Sequence, residues 1–391
     1  MRLFRWLVLA AWLWLGAGMV YHYLLLLVGR QRPEAALGES APHHRLAIVL
    51  PAHDEEAVIG ATVRTLAAQD YPRARFDIHV VADHCQDRTA EMARNAGAEV
   101  HQRTTGARGR KGYALAWLLD RLLADARGYD AFVVFDADSR PAPDCLAKLQ
   151  HELAQGRDAV QGRHVIANPA ESIFTGLADA DMRLNNRIRN QAKANLGLSA
   201  RLMGDGMAFS RELLVRQPWA GEESLTEDRA YGLHLVTQGE PVAYAPGAIS
   251  FGLATTAWQS ATPQRMRWYG GALALQKKYV KPLLIRCVRH RDVDALDKLL
   301  ELTLPPYSLM AVAAPALWLA QRLFGVAPAA APLLVASVWA YPALGLIAER
   351  APTSAFRALA FGPVYVLWRV AIAVRVRIQR TPIRWQRTEH R

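Results

Sequence analysis

Residues 3 to 28, LFRWLVLAAWLWLGAGMVYHYLLLLV, carry a single charge, Arg5. A bilayer core takes about 20 apolar residues of helix to cross and offers no water to an unpaired backbone group. Such a run must therefore be helical, and it is long enough for a permanent anchor. A cleaved leader is the rival reading, but the apolar part of a leader is only about 7 to 15 residues long.

Apolar residues gather again at the other end. Residues 304–324 (LPPYSLMAVAAPALWLAQRLF) and 328–348 (PAAAPLLVASVWAYPALGLIA) read as two further spans, forming a hairpin around a Gly-containing turn. The stretch 355–374 is interrupted by Gly362, Pro363, Arg357 and Arg369. Arginine is costly at mid-bilayer, so an interfacial or re-entrant segment is expected there. Arg2 and Arg5 balance Arg30 and Arg32 across the first span, so orientation rests on the arginine-rich tail RVRIQRTPIRWQRTEHR. Positive charge favours the cytoplasmic side. With one span before it and two after, the region between is expected in the cytoplasm, at the inner membrane.

The net charge of +12 raises the possibility of nucleic acid. Arginines flanking membrane segments are better explained by anionic lipid headgroups, and no nucleic-acid partner is expected. The three cysteines, Cys85, Cys145 and Cys287, are scattered, with neither disulfide-framework nor zinc-type spacing.

From residue 46 the chain alternates strand and helix. LAIVL, FDIHVVAD, AEVHQ and AFVVFDAD are strands; EEAVIGATVRTLAAQ, QDRTAEMARNAG and KGYALAWLLDRLLADA have helical spacing. This alternation predicts an α/β fold with right-handed crossovers and a mainly parallel sheet. Ligands bind beyond the carboxyl ends of such strands. Three acidic clusters fall there: PAHDEE, VADHCQD and FDADS. Each alone reads as a solvated turn or a helix cap; three at one edge point to a cation. In FDAD, strand alternation would send Asp136 and Asp138 to one side, where like charges repel unless a metal lies between them.

The ordered series PAHDEE, ADHCQDRTA, GARGRKGYAL, FDADS, GDGMAFSRELL, LTEDRAYG and QRMRW, the last fitting Gln-x-x-Arg-Trp at 264–268, resembles the family 2 glycosyltransferases. The likeness is to membrane-bound bacterial enzymes related to cellulose, hyaluronan and poly-N-acetylglucosamine synthases, and IRWQRT in the tail fits it too. The resemblance implies a GT-A type domain, a UDP-sugar donor, Mg²⁺ or Mn²⁺, and inversion at the anomeric carbon. It implies Asp138 as metal ligand and Asp136 on the metal or the ribose. Asp83 and Asp54, with Glu55 beside them, would hold uracil and ribose. Asp54 stands where the family usually has Asn. Lys111 would lie by the nucleotide, at a helix start suited to phosphate; a solvated helix start is the bland reading. Asp228 is the implied base, positioned by Glu227 and Thr226, although locally SLTEDRAYGLHL could be a plain helix start capped by Thr226. Gln264, Arg267 and Trp268 would lie at the site mouth, Arg267 for phosphate and Trp268 as a sugar platform or a membrane-belt residue. The segment 204–209 would shape the acceptor pocket.

The implied organisation is an anchor at 1–29, a linker at 30–45, the GT-A domain at 46–270 and amphipathic interfacial helices at 271–302. A transmembrane hairpin follows at 303–349, then an interfacial or transmembrane segment and basic tail at 350–391. The leading expectation is β-linked transfer from a UDP-sugar to a polysaccharide or glycan acceptor, with an export partner protein because so few spans make a narrow pore. The alternative is transfer of a single sugar to a membrane lipid. A non-enzymatic basic membrane binder would have no use for acidic clusters at strand ends.

Overall fold

A computed structural model describes residues 2–30, 44–220, 224–324 and 330–379. Most of the expected linker, the expected hairpin turn and the tail motif IRWQRT lie outside these residues.

The eight strands are β1 (Leu46–Ala52), β2 (Phe76–Asp83), β3 (Glu99–Arg103), β4 (Ala131–Val134), β5 (Arg140–Pro141), β6 (Ala159–Ile166), β7 (Met207–Ser210) and β8 (Ala243–Gly252). They form one sheet in the order β3-β2-β1-β4-β7-β6-β8-β5. β1 pairs in parallel with β2 and β4, and β2 with β3, while β7 runs antiparallel between β4 and β6. Leu46 to Leu50 of β1 are wholly buried, as expected of a strand covered on both faces.

The first helices are α1 (Arg2–Val28), α2 (Ile59–Ala67), α3 (Thr89–Asn95), α4 (Lys111–Leu123), α5 (Cys145–Ala154), α6 (Ile173–Met182) and α7 (Arg189–Asn195). They are followed by α8 (Arg211–Arg216), α9 (Glu227–Gln238), α10 (Trp258–His290), α11 (Val293–Thr303), α12 (Tyr307–Phe324), α13 (Ala331–Ala348), α14 (Thr353–Leu359) and α15 (Gly362–Ile378). One face of the sheet packs on Ile59, Val63 and Leu66 of α2, Ala93 of α3 and Leu146 and Leu149 of α5. The other packs on Leu115, Leu118 and Leu122 of α4, Leu213 of α8 and Tyr231 and Leu235 of α9.

α1 meets α12, α13 and α15 through Leu15, Met19, Met310, Ala314, Val338, Tyr341 and Val366. By length and composition, Trp6–Val28 and Ala331–Ala348 can cross a membrane. Two bent pairs qualify as joined units, α11 with α12 at 54° and α14 with α15 at 63°. The expected span at 304–324 is one continuous helix, α12, from Tyr307; Leu304, Pro305 and Pro306 form the bend that separates it from α11, since proline disfavours helix in the residue before it. The basic stretch 277–291 belongs to the 33-residue α10, which also carries the Gln-x-x-Arg-Trp residues.

α11 is tied to the sheet domain by charge. Lys193 of α7, fully buried, reaches Asp297 at 2.9 Å and Glu301 at 2.7 Å. Buried charges survive only when paired, so these contacts fix α11 against α7.

Candidate active site

The chain after β4 departs from the expected strand. β4 stops at Val134, and residues 136–139 turn back: the Ser139 amide donates to the Asp136 carbonyl at 3.2 Å, and the Asp136 amide donates to Ser139 Oγ and Asp205 Oδ1, both at 3.2 Å. Strand alternation thus does not orient Asp136 and Asp138; the turn does. Both line the same cavity, of about 1110 Å³, beyond the carboxyl ends of the strands.

Asp54, Glu55, Asp83, Lys111, Asp136, Asp138, Glu227, Asp228, Gln264, Arg267 and Trp268 all line that cavity, brought together from six places in the chain. β1 and β2 deliver the first group. Asp54 (φ 55°) and His84 (φ 53°) are in the left-handed region, which Asn and Asp tolerate better than most residues. An Asp therefore keeps the turn that an Asn would make. The Asp54 carboxylate accepts from the Gln86 amide at 2.7 Å. Helix α2 starts later than its pattern predicts because the Glu55 amide donates to Thr89 Oγ1 at 2.7 Å and the Glu56 amide to Asp87 at 3.1 Å. Asp83 Oδ1 is held by Arg103 at 2.5 Å and by His84 at 2.8 Å, which locks β2 to β3 at the cavity wall.

Lys111 opens α4, and its Nζ donates to Asp136 Oδ1 and, at 2.7 Å, to the Gly204 carbonyl. Gly204 adopts a left-handed φ of +83°, which favours glycine, and its Cα lies against the site: a Cβ there would stand 3.4 Å from Asp228 Oδ2 and 3.6 Å from Lys111 Nζ. The 204–209 segment therefore borders the Lys111 end of the cavity rather than only an acceptor pocket. Burial alone would lower the Lys111 pKa, but Asp136, Glu227 and Asp228 hold it above its usual value. Burial pushes Asp136 up to about 6, against Lys111 and with repulsion from Asp205 and Asp138. Glu227 is likewise pushed by burial up to about 7, against Lys111 and with repulsion from Asp228.

The Thr226 side chain does not cap α9. Its Oγ1 is buried without a hydrogen-bond partner among the described residues, and α10 passes so close that a Cβ on Gly271 would lie 2.6 Å from it. α10 also brings Gln264, Arg267 and Trp268, and the guanidinium of Arg265 sits 4.5 Å from the centre of the Trp268 ring.

Two side chains that line the cavity were not singled out by sequence reasoning, His164 and Asp205. His164 Nδ1 and Asp205 Oδ2 are 2.8 Å apart, and Ser139 Oγ donates to Asp205 Oδ1 at 2.6 Å. Burial opposes protonation of His164, but Asp205, then Asp136 and Asp138, raise its pKa. The sole hint in the sequence was an acid inside GDG.

The carboxylates of Asp136, Asp138, Asp205, Glu227 and Asp228 thus gather around Lys111 and His164, in a cavity that further acids, histidines and arginines also line. Oxygen-rich, negative and open to solvent, this set suits Mg²⁺ or Mn²⁺, with Asp138, Asp136 and the nearby His164 available to hold it. Proton linkage gives a test. Asp136 carries a proton below about 6 and must release it to become a ligand, so Mn²⁺ affinity should rise by up to about tenfold per pH unit below 6 and level off above it. Calorimetric Mn²⁺ titrations between pH 5 and 8 check this; affinity independent of pH would remove Asp136 from the ligand set.

A profile of glycosyltransferase like family 2 matches residues 42–271. The chain belongs to the family 2 glycosyltransferases. It is 30% identical over 213 residues to the β-monoglucosyldiacylglycerol synthase of Synechocystis sp., covering 52% of this chain and 43% of that one. It is 24% identical over 268 residues to the probable glycosyltransferase YdaM of Bacillus subtilis, 65% of this chain and 63% of that one. The chain thus spans less than half the length of the cyanobacterial relative. Its fold is shared with a mannosyltransferase from Pyrobaculum calidifontis in complex with GDP-Man and Mn²⁺, with TM-score 0.57, 17% identity, and 96% and 99% of the two chains covered. This transferase has a GT-A type α/β domain with helices apolar enough for a membrane at both ends.

Proposed function

We propose that this glycosyltransferase moves a single hexose from a UDP-sugar to a membrane lipid, inverting the anomeric centre. One observation carries the reading. The cavity that holds the carboxylates continues to side chains of the apolar helices: Trp14, Tyr21 and His22 of α1, Tyr307 and Ser308 of α12, and Val370 and Val374 of α15. A hydroxyl on a lipid headgroup can reach Asp228 along that wall without leaving the bilayer surface. The similarity to β-monoglucosyldiacylglycerol synthases supports the same acceptor class. The polysaccharide reading fits less well, because the two to four candidate spans among the described residues make a narrow conduit for a polymer, and lipid transfer needs no export partner.

In this reading Asp54, Glu55 and Asp83 hold the nucleoside, and Lys111 meets the diphosphate. Asp138 and Asp136, with His164 held by Asp205, are the ligands for Mg²⁺ or Mn²⁺. That ion, when bound, neutralises the charge that grows on the leaving diphosphate. Arg267 supplements it, and Trp268 gives the sugar ring a flat face. Asp228 takes the proton of the lipid hydroxyl as its oxygen bonds to the anomeric carbon. The bond from that carbon to the β-phosphate oxygen breaks, and its electron pair leaves with UDP. Glu227, protonated near neutrality, positions Asp228 without doubling the negative charge beside it. The transferase lobe faces the cytoplasm, where UDP-sugars are made, consistent with Arg375 and Arg377 at the end of α15.

The test is to incubate the purified protein in lipid containing diacylglycerol with radiolabelled UDP-sugars and Mn²⁺, then separate solvent-extractable glycolipid from polymer. A monoglycosylated lipid is the expected product; high-molecular-weight glycan would instead select the polysaccharide reading.

A further inference from the structure

Outside the transferase cavity, at the edge of the sheet, a second group of ligand atoms converges. β2 and β3 pair in parallel with His79 opposite Glu99 and Val81 opposite His101. The two-residue period of strands puts His79, Glu99 and His101 on one face.

Their spacing is that of a coordination shell. His79 Nδ1 and His101 Nε2 are 3.1 Å apart, His101 Nε2 and Glu99 Oε1 3.5 Å, and His79 Nδ1 and Glu99 Oε2 3.7 Å. Ligands at about 2.0–2.1 Å in a tetrahedron have edges of about 3.3–3.4 Å. The nitrogen–nitrogen edge lies just under that value, and the two Glu99 oxygens, one turned to each imidazole, lie just over it, with one ligand atom from each residue within 4.8 Å of the others.

The surroundings set the lone pairs. Tyr129 donates its hydroxyl to Asp77 Oδ2 at 2.9 Å, so its oxygen accepts from His79 Nε2 at 2.9 Å. That fixes the His79 proton on Nε2 and leaves the Nδ1 lone pair aimed at His101 and Glu99. Such a carboxylate-linked chain behind a ligating imidazole is the usual support of a metal site. Arg127 donates to both Glu99 oxygens, at 2.8 and 3.2 Å, which occupies two of about four lone pairs. Burial also keeps His79 and His101 below the usual histidine pKa, neutral and able to ligate. The His79 side chain is 0% exposed, that of His101 19% and that of Glu99 45%, so the fourth tetrahedral position opens to solvent.

We infer that His79, Glu99 and His101 form a second metal site, for a nitrogen-preferring divalent cation of the zinc class, distinct from the oxygen-lined site of the transferase. Bound there, the ion clamps edge strand β3 to β2. β3 ends in Arg103, which holds Asp83 at the cavity wall, so the clamp stiffens the nucleotide side of the enzyme from outside.

Full-length protein in detergent, stripped of metal and held in excess Mg²⁺ to occupy oxygen sites, is titrated with Co²⁺ and then Zn²⁺. One equivalent of Co²⁺ should bind with a visible tetrahedral spectrum, Zn²⁺ should displace it, and Zn²⁺ should raise the thermal midpoint. His101→Ala and Glu99→Gln, both at the surface, should abolish the spectrum and the thermal shift. Tyr129→Phe should weaken Zn²⁺ by about 10- to 100-fold. Cys85→Ser controls for the group formed by Asp54, Cys85 and Asp87 and should leave binding unchanged. No spectrum in the unaltered protein, an unchanged one in His101→Ala, or loss in Cys85→Ser would overturn the assignment. None of these readouts depends on sugar transfer, so failure here leaves the proposed function standing.

Discussion

The Asp228→Asn enzyme should bind UDP as the unaltered protein does and transfer sugar roughly 10² to 10⁴ times more slowly, the span that a positioned general base supplies. Asn keeps the size and hydrogen-bonding reach of Asp beside Gly204, but it cannot accept a proton from the acceptor hydroxyl. Initial rates at saturating donor, together with UDP affinity by calorimetry, separate the two effects. Full activity in the Asn variant would give the base to another residue, and the neighbouring Glu227, at about 7, is the one to examine. Glu227→Gln distinguishes them: if Glu227 only positions Asp228, its loss costs less and leaves the acid limb of the rate profile in place.

Asp138→Ala acts on a different step. Removing a ligand from the ion under the diphosphate should weaken metal-dependent UDP binding by about a hundredfold, close to 2.7 kcal/mol, and transfer should fall with it. The readout is UDP affinity with and without Mn²⁺. The unaltered protein gains affinity from the ion and the variant should gain almost none. An equal gain in both would mean that Asp138 does not ligate. Lys111 stays paired with Asp136 in this variant, so residual metal-independent binding measures what the lysine contributes.

Much of this site could be read along the chain because its parts are local. Buried strands end in acids, helix starts follow, and each motif is a few residues long. What escaped was set by contacts distant in sequence. The turn at 136–139 depends on Asp205, 69 residues away, whose carboxylate accepts from the Asp136 amide. His164 acquires its role only when β6 brings it beside Asp205, 41 residues on. The first turn of the expected second helix is taken by side chains of the loop after β2, Asp87 and Thr89. No periodicity within 55–69 could have revealed that competition. The bend at 304–306 that sets α12 apart from α11, by contrast, is written in two adjacent prolines.

Arg369 illustrates the other half of the lesson. On sequence alone it is a liability in an apolar helix. In three dimensions its Nη1 donates to Asp181 Oδ1 of α6 at 2.8 Å, while Arg265 of α10 reaches the other oxygen of the same carboxylate at 3.3 Å. Helix α15 is therefore compatible with its position only where Asp181 is already in place. Synthesis runs in that order: the carboxylate that receives Arg369 leaves the ribosome 188 residues before it, so the arch can stand before this stone is set.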